Sequence, residues 1–254
     1  MAANIQASKT KRSRFWEIDL WRTGAVVVMI VFHTLYLLDY FGIRQTYQYL
    51  FPKYWLWFAG GGGTFIFLAG VSLAIAHSRS KRTWPFVRRG LQIFAWGMGI
   101  TLVTWIISRT EYVRFGILHF FGIAFILAPF FTRFRFINLI LGIGMMVAGF
   151  YLVNIHFDFP WLFWLGLRPH YSLGFEWFPL LPYFGLFLTG MFFGKVLYPQ
   201  GNRVFYIPDF RSRALSALTL PGRHPLGIYL AQWPAIIGAL LVLFPASVLP
   251  FFPF

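Results

Sequence analysis

Apolar runs of about twenty residues recur along the chain, and that is the length an α-helix needs to cross the hydrocarbon core of a bilayer. Seven runs qualify, roughly 20 to 41, 55 to 77, 87 to 108, 115 to 131, 136 to 154, 179 to 198 and 225 to 249. The expected fold class is therefore all-α, a polytopic transmembrane helical bundle of about seven spans. Residues 159 to 167 (FPWLFWLGL) are too few to cross and read as an interfacial or re-entrant segment. Composition agrees: 58% of the 254 residues are apolar and 11% are charged, against about 25% charged in a typical soluble domain. An ordinary soluble globular protein and a disordered one are both excluded.

The charge balance is basic, with 22 Lys and Arg against 7 Asp and Glu. In a soluble protein this would suggest nucleic acid. Here most basic residues lie in short segments between the runs, where they set topology and meet anionic headgroups. Membrane lipids are thus expected partners and nucleic acid is not. Assigning alternate loops to opposite faces gives one face 16 basic residues, from the N-terminal tail and the 78–89, 132–135 and 195–224 segments. The other face has 5, namely Arg44, Lys53, Arg109, Arg114 and Arg168, while Arg22 falls inside the first span. The asymmetry predicts a multi-pass protein of the cell membrane with its N-terminus in the cytoplasm. Residues 1–18 read as a cytoplasmic basic tail and 19–254 as a single transmembrane domain without internal repeats. The tail carries Lys9, Lys11, Arg12 and Arg14 and resembles the start of a signal peptide, but no small-x-small cleavage pattern follows, so the first run is read as a retained span. With no Cys, disulfides, thiolate nucleophiles and cysteine metal sites are excluded.

An ionisable group inside a bilayer costs roughly 2.5–3.5 kcal/mol on insertion scales unless it is paired or hydrated, so such groups single out functional positions. Asp19 and Arg22 are three residues apart and share a helix face as an ion pair. Arg22 and His33 are eleven apart, about three turns and about 16.5 Å of rise, so they lie on one stripe. Alternatively, Arg22 is a snorkelling interfacial anchor and His33 a histidine hydrogen-bonded to a neighbouring helix. His119, five residues after Arg114, falls toward the same outer half as His33, and Asp39 and Glu176 flank spans on that side. These four are expected to converge on one outward-facing cavity with a general base, a carboxylate to orient it and further donors. The competing readings are interhelical packing for His119 and solvated helix ends for Asp39 and Glu176. Gly60 to Gly63, followed by Gly70, mark either a close approach of backbone to substrate or small-residue helix packing. His77, His156, His170 and His224 show no metal-ligand spacing, and no metal site is expected.

Arg22-x10-His33 resembles the Arg/His pair of the acyltransferase-3 membrane proteins. The wider pattern is similar to the catalytic-domain family of heparan-alpha-glucosaminide N-acetyltransferase and its prokaryotic relatives. Five blocks carry the likeness: Ile18 to Gly24 leading to His33 and Asp39, Thr64 to Ser72 (TFIFLAGVS), Gly116 to His119 (GILH), Phe178 to Gly190 (FPLLPYFGLFLTG), and Gly222 to Leu230 (GRHPLGIYL). The resemblance implies an integral membrane acyltransferase that takes an acyl group, usually acetyl, from acyl-CoA on the cytoplasmic side. The acceptor it implies is a carbohydrate-type amine or hydroxyl presented outside. By that analogy His33 is the catalytic imidazole, with Arg22, Asp39 and His119 completing the catalytic set and Glu176 and Asp19 facing the acceptor. Arg82, Arg88 and Arg89 then offer phosphate-binding charge for the co-substrate at the cytoplasmic mouth, unless they serve topology alone. A homodimer is left open. The chain departs from the family pattern at Pro225, where Ser is usual, at Ala231, where His usually precedes the Gln, and at Glu176, where Asp is common.

Two other classes remain in view. Intramembrane His33 and His119 would also suit a transporter or channel that relays protons or contacts a solute, and an inactive relative would retain the blocks without the chemistry.

Overall fold

Lipid offers no partner to a backbone N–H or C=O, and a helix satisfies both within one segment. The computed structural model describes residues 14–45, 62–158, 160–208 and 212–251 and is all-helical. Among the described residues the β pairing amounts to two isolated bridges, Phe115 with Trp177 and His156 with Arg168. The long helices are α1 (Trp16–Tyr40), α2 (Gly62–Ser80), α3 (Trp84–Ile107), α4 (Ile117–Phe131), α5 (Phe136–Leu152) and α6 (Leu180–Leu197). Two short helices, α7 (Arg213–Leu218) and α8 (Leu220–Arg223), lead into α9 (Pro225–Leu243) and the single turn α10 (Pro245–Val248).

The long helices fall on the expected runs, and four of them, α1, α3, α6 and α9, are long and apolar enough to cross a membrane. At 15 and 17 residues, α4 and α5 are shorter apolar helices. Residues 55–61 of the second run, with Gly60 and Gly61, lie outside the described residues. The last run is shorter as a helix than the expected 225 to 249. It stops at Leu243 because Pro245 bars the helical conformation from Phe244, whose φ and ψ are −137° and 56°. Within the 159 to 167 segment, Pro160–Leu162 forms one 3-10 turn. Helix starts follow residue chemistry: Pro225 opens α9, where its missing N–H costs nothing. Ser212 caps α7 by accepting from the Leu215 N–H at 3.0 Å. Gly42, at φ +67°, ends α1 with a backbone bond to the Asp39 carbonyl.

Contacts gather the chain into two compact units, one from Met1–Tyr47 with Phe210–Phe254 and the other Gln48–Asp209. In the first, α1 packs against α8 and α9. A small core of Leu37, Phe41, Leu240 and Val248 closes one end. In the second, α6 is the central helix, flanked by α2 and α5, and α3 pairs with α4. Glycines set these approaches. A Cβ at Gly70 would collide with the Phe187 carbonyl of α6, one at Gly190 with the Phe67 carbonyl of α2, and one at Gly185 with the Gly142 carbonyl of α5. This close backbone contact is how membrane helices associate when lipid tails offer no hydrophobic driving force between them.

Candidate active site

The first unit holds His33, Asp39, Asp19 and Arg22. Asp19 is 5% exposed and sits where α1 meets α8. Its Oδ1 pairs with Arg22 Nη1 at 3.2 Å, and its Oδ2 lies 3.6 Å from Arg223 Nε. The Asp19 carbonyl accepts from Thr23 Oγ1 at 3.1 Å, and Thr23 Oγ1 in turn accepts from the Gly222 N–H at 3.0 Å. A Cβ at Gly222 would strike the Asp19 carbonyl oxygen. One carboxylate thus joins two guanidinium groups and ties the start of α1 to a segment some 200 residues away. The expected i,i+3 pair is present. For the proposed acceptor-binding role of Asp19, the geometry instead offers an ion pair that holds helices together.

His33 lies two-thirds of the way along α1. Trp233 of α9 packs against it with ring centroids 5.5 Å apart and Phe32 meets it edge-on at 5.4 Å. The Gln232 side chain and the Met29 backbone carbonyl both come within reach of the imidazole. Gln232 is 5% exposed, yet neither of its amide atoms forms a well-made hydrogen bond with any described residue, and the same holds for the buried His33 Nδ1. Buried polar atoms are nearly always paired, so three open ones beside each other depart from the usual pattern. Asp39 stands six residues beyond His33, about 9 Å along the axis and about a third of a turn round it. It does not stack on the imidazole, and its Oδ1 is also buried without a partner among the described residues.

The second unit holds His119, Glu176, Arg82, Arg88 and Arg89. His119 is 2% exposed near the start of α4. Its Nδ1 accepts from the Gly116 N–H at 3.2 Å, and its Nε2 lies 3.2 Å from Thr101 Oγ1. Thr101 spends its hydroxyl proton on the Val113 carbonyl at 2.7 Å. The His119 proton must then reside on Nε2 and point at Thr101. Both nitrogens are occupied, and Phe115 and Phe94 pack around the ring at 5.6 and 5.4 Å. Glu176 Oε1 accepts from the Ile117 N–H at 3.1 Å, placing a carboxylate on the unpaired donors at the start of α4. His119 and Glu176 are therefore brought to one place, and both serve the N-terminus of α4.

At the opposite end of this unit the segments with expected cytoplasmic charge meet. Arg79 donates to the Gly201 carbonyl through Nε at 3.2 Å and Nη2 at 2.7 Å. Lys195 Nζ donates to the carbonyls of Thr132 and Phe134, and Asn138 Nδ2 reaches the Phe131 and Phe134 carbonyls at 3.1 Å. Arg82, Arg88 and Arg89 are exposed there. Arg114, by contrast, donates to the Ser172 carbonyl at 2.9 Å, and Ser172 to Glu111 at 2.8 Å, at the Glu176 end.

Sequence reasoning missed Gln232. A signal was present: between Pro225 and Leu243 it is the one amide or charged side chain in nineteen residues. Residues 14–234 match the family model described as "Heparan-alpha-glucosaminide N-acetyltransferase, catalytic". No curated protein and no solved structure matches the chain.

Proposed function

This chain belongs to the heparan-alpha-glucosaminide N-acetyltransferase catalytic family, and from that premise we propose that it is a membrane acyltransferase using acyl-CoA, in the first instance acetyl-CoA. Its acceptor is an amine or hydroxyl of a carbohydrate-type molecule at the outer face. The chain crosses the cell membrane seven times with its N-terminus in the cytoplasm, in keeping with the gathering of the basic segments of the second unit at one end.

The observation that carries this reading is the contrast between the two intramembrane histidines. His119 has both nitrogens occupied, whereas His33 keeps a buried Nδ1 that makes no well-formed hydrogen bond with any described residue, beside a Gln232 amide of which the same is true. The imidazole with open capacity is the one that the family resemblance singles out. Acyl-CoA supplies an activated acyl carbon as a thioester. His33 takes the proton of the acceptor N–H or O–H as the new bond to that carbon forms, and returns it to the thiolate as the carbon–sulfur bond breaks. Acyl-acceptor and CoA thiol leave, and the imidazole is regenerated. Arg82, Arg88 and Arg89 suit the phosphates of the co-substrate, being exposed and planar donors of fixed charge. Arg79 is less suited because its guanidinium is engaged with Gly201. Arg22, held by Asp19, contributes positive charge at the start of the His33 stripe.

Thermal unfolding of the detergent-purified protein tests the donor. Ligand that binds the native state raises apparent stability by mass action, by about 2.7 kcal/mol at a hundredfold excess over Kd. Acetyl-CoA is expected to raise the melting temperature more than ATP does. No shift with acetyl-CoA or longer acyl-CoAs, together with solute flux in liposomes, would replace this reading with that of a transporter.

A further inference from the structure

Resting on the acyltransferase reading, we propose that Gln232 is a positioning residue for His33: its Oε1 accepts the imidazole Nδ1–H and so leaves the Nε2 lone pair for proton transfer. Three observations support the assignment. Gln232 is 5% exposed, both of its amide atoms lack a well-made hydrogen bond, and so does His33 Nδ1. A small rotation of the amide, which lies within reach of the ring, pairs two of these three atoms at once. Among the other groups around the ring, the Met29 backbone carbonyl one turn earlier also comes within reach, but it cannot satisfy the buried Gln232 amide, whereas the Gln232 contact pairs both side chains. Trp233 and Phe32 present aromatic faces and edges, Asp19 is committed to Arg22 and Arg223 at the far end of α1, and Asp39 is displaced round the helix.

A neutral imidazole has one protonated nitrogen and one basic nitrogen, and the hydrogen bond made by the first decides which is which. A glutamine suits this work inside a membrane because it fixes the tautomer without adding a charge, whereas a carboxylate in the same place would carry the insertion cost of an anion. The neighbouring position, Ala231, where the family usually carries His, is exposed within this unit while Gln232 is buried. The family difference at Ala231 therefore leaves the contact with His33 in place.

The test uses full-length protein labelled with 15N in its imidazoles, with a His33→Asn variant to assign the His33 signals. Wild-type His33 is expected to show the Nδ1–H tautomer, and Gln232→Leu, which keeps the volume and removes the hydrogen bond, to shift it toward Nε2–H. Turnover with acetyl-CoA is expected to fall about tenfold in Gln232→Leu, the equivalent of one lost hydrogen bond, with KM for acetyl-CoA within about twofold. Gln232→Glu retains an acceptor oxygen and is expected to restore the Nδ1–H tautomer. Identical His33 signals in wild type and Gln232→Leu would overturn the proposal, as would wild-type turnover in that variant. A tautomer that follows Gln232 in a protein that never consumes acyl-CoA would uphold the positioning role and refute the acyltransferase reading alone.

Discussion

His33 and His119 are both histidines in apolar helices, and hydrogen bonding separates them. At His119 the Thr101 hydroxyl and the Gly116 N–H consume the two nitrogens. His119→Leu is expected to leave the Gly116 N–H unpaired and to take from Thr101 Oγ1 the hydrogen bond it accepts, while its bond to the Val113 carbonyl remains, and to cost about 1–3 kcal/mol of stability. The folded fraction should turn over within about twofold of wild type. Unfolding curves and initial rates on the same preparation decide this; a turnover loss of a hundredfold with an unchanged melt would return His119 to the reaction. The i,i+3 spacing made the Asp19–Arg22 pair legible in the sequence, since helix geometry alone places those side chains together. Arg223 joining them was not legible, because it lies 204 positions from Asp19 and the chain between must fold first. Nor was the bond from Ile117 N–H to Glu176, 59 positions away. Gln232 was legible in principle as a lone amide in an apolar helix, but a neutral amide costs far less in a bilayer than a charge and so marks its position less sharply.

At the scale of helices, hydropathy located the elements well because a bilayer demands one long apolar segment per crossing. Their ends depended on finer chemistry: Gly42 stops α1, and Pro245 cuts the last run at Leu243. The pairing of helices rested on residues without side chains. Gly70 and Gly190 bring α2 and α6 into backbone contact, so for Gly70, of the two sequence readings, structure supports helix packing. Gly70→Leu must displace the Phe187 carbonyl rather than the end of a flexible side chain. Overpacking of this kind costs about 1–3 kcal/mol, and the upper end is expected here. The measurement is the detergent melting temperature against Gly24→Leu, where a Cβ meets nothing within 4 Å. Equal melting of the two variants would show that α2 and α6 are not held at this distance.

For the whole molecule, composition and charge spacing spoke to the class of solvent rather than to the reaction. A net charge of +15 on a chain that is 58% apolar suits a membrane protein, and the one-sided placement of its basic loops is the expectation that follows. In the second unit the 78–83, 132–135 and 195–203 segments do meet at one end, joined by Arg79 and Lys195. The proposed chemistry rests on fewer residues: an imidazole with open hydrogen-bonding capacity, in a family of acetyltransferases. The absence of cysteine makes the decisive assay clean, because a thiol reagent then sees no protein thiol. CoA thiol released from acetyl-CoA in the presence of an amino-sugar acceptor should match acetylated acceptor mole for mole. His33→Ala should lower that release by about 10²- to 10⁴-fold with the melt unchanged. A folded His33→Ala protein that releases CoA and acetylates acceptor at the wild-type rate would contradict the account.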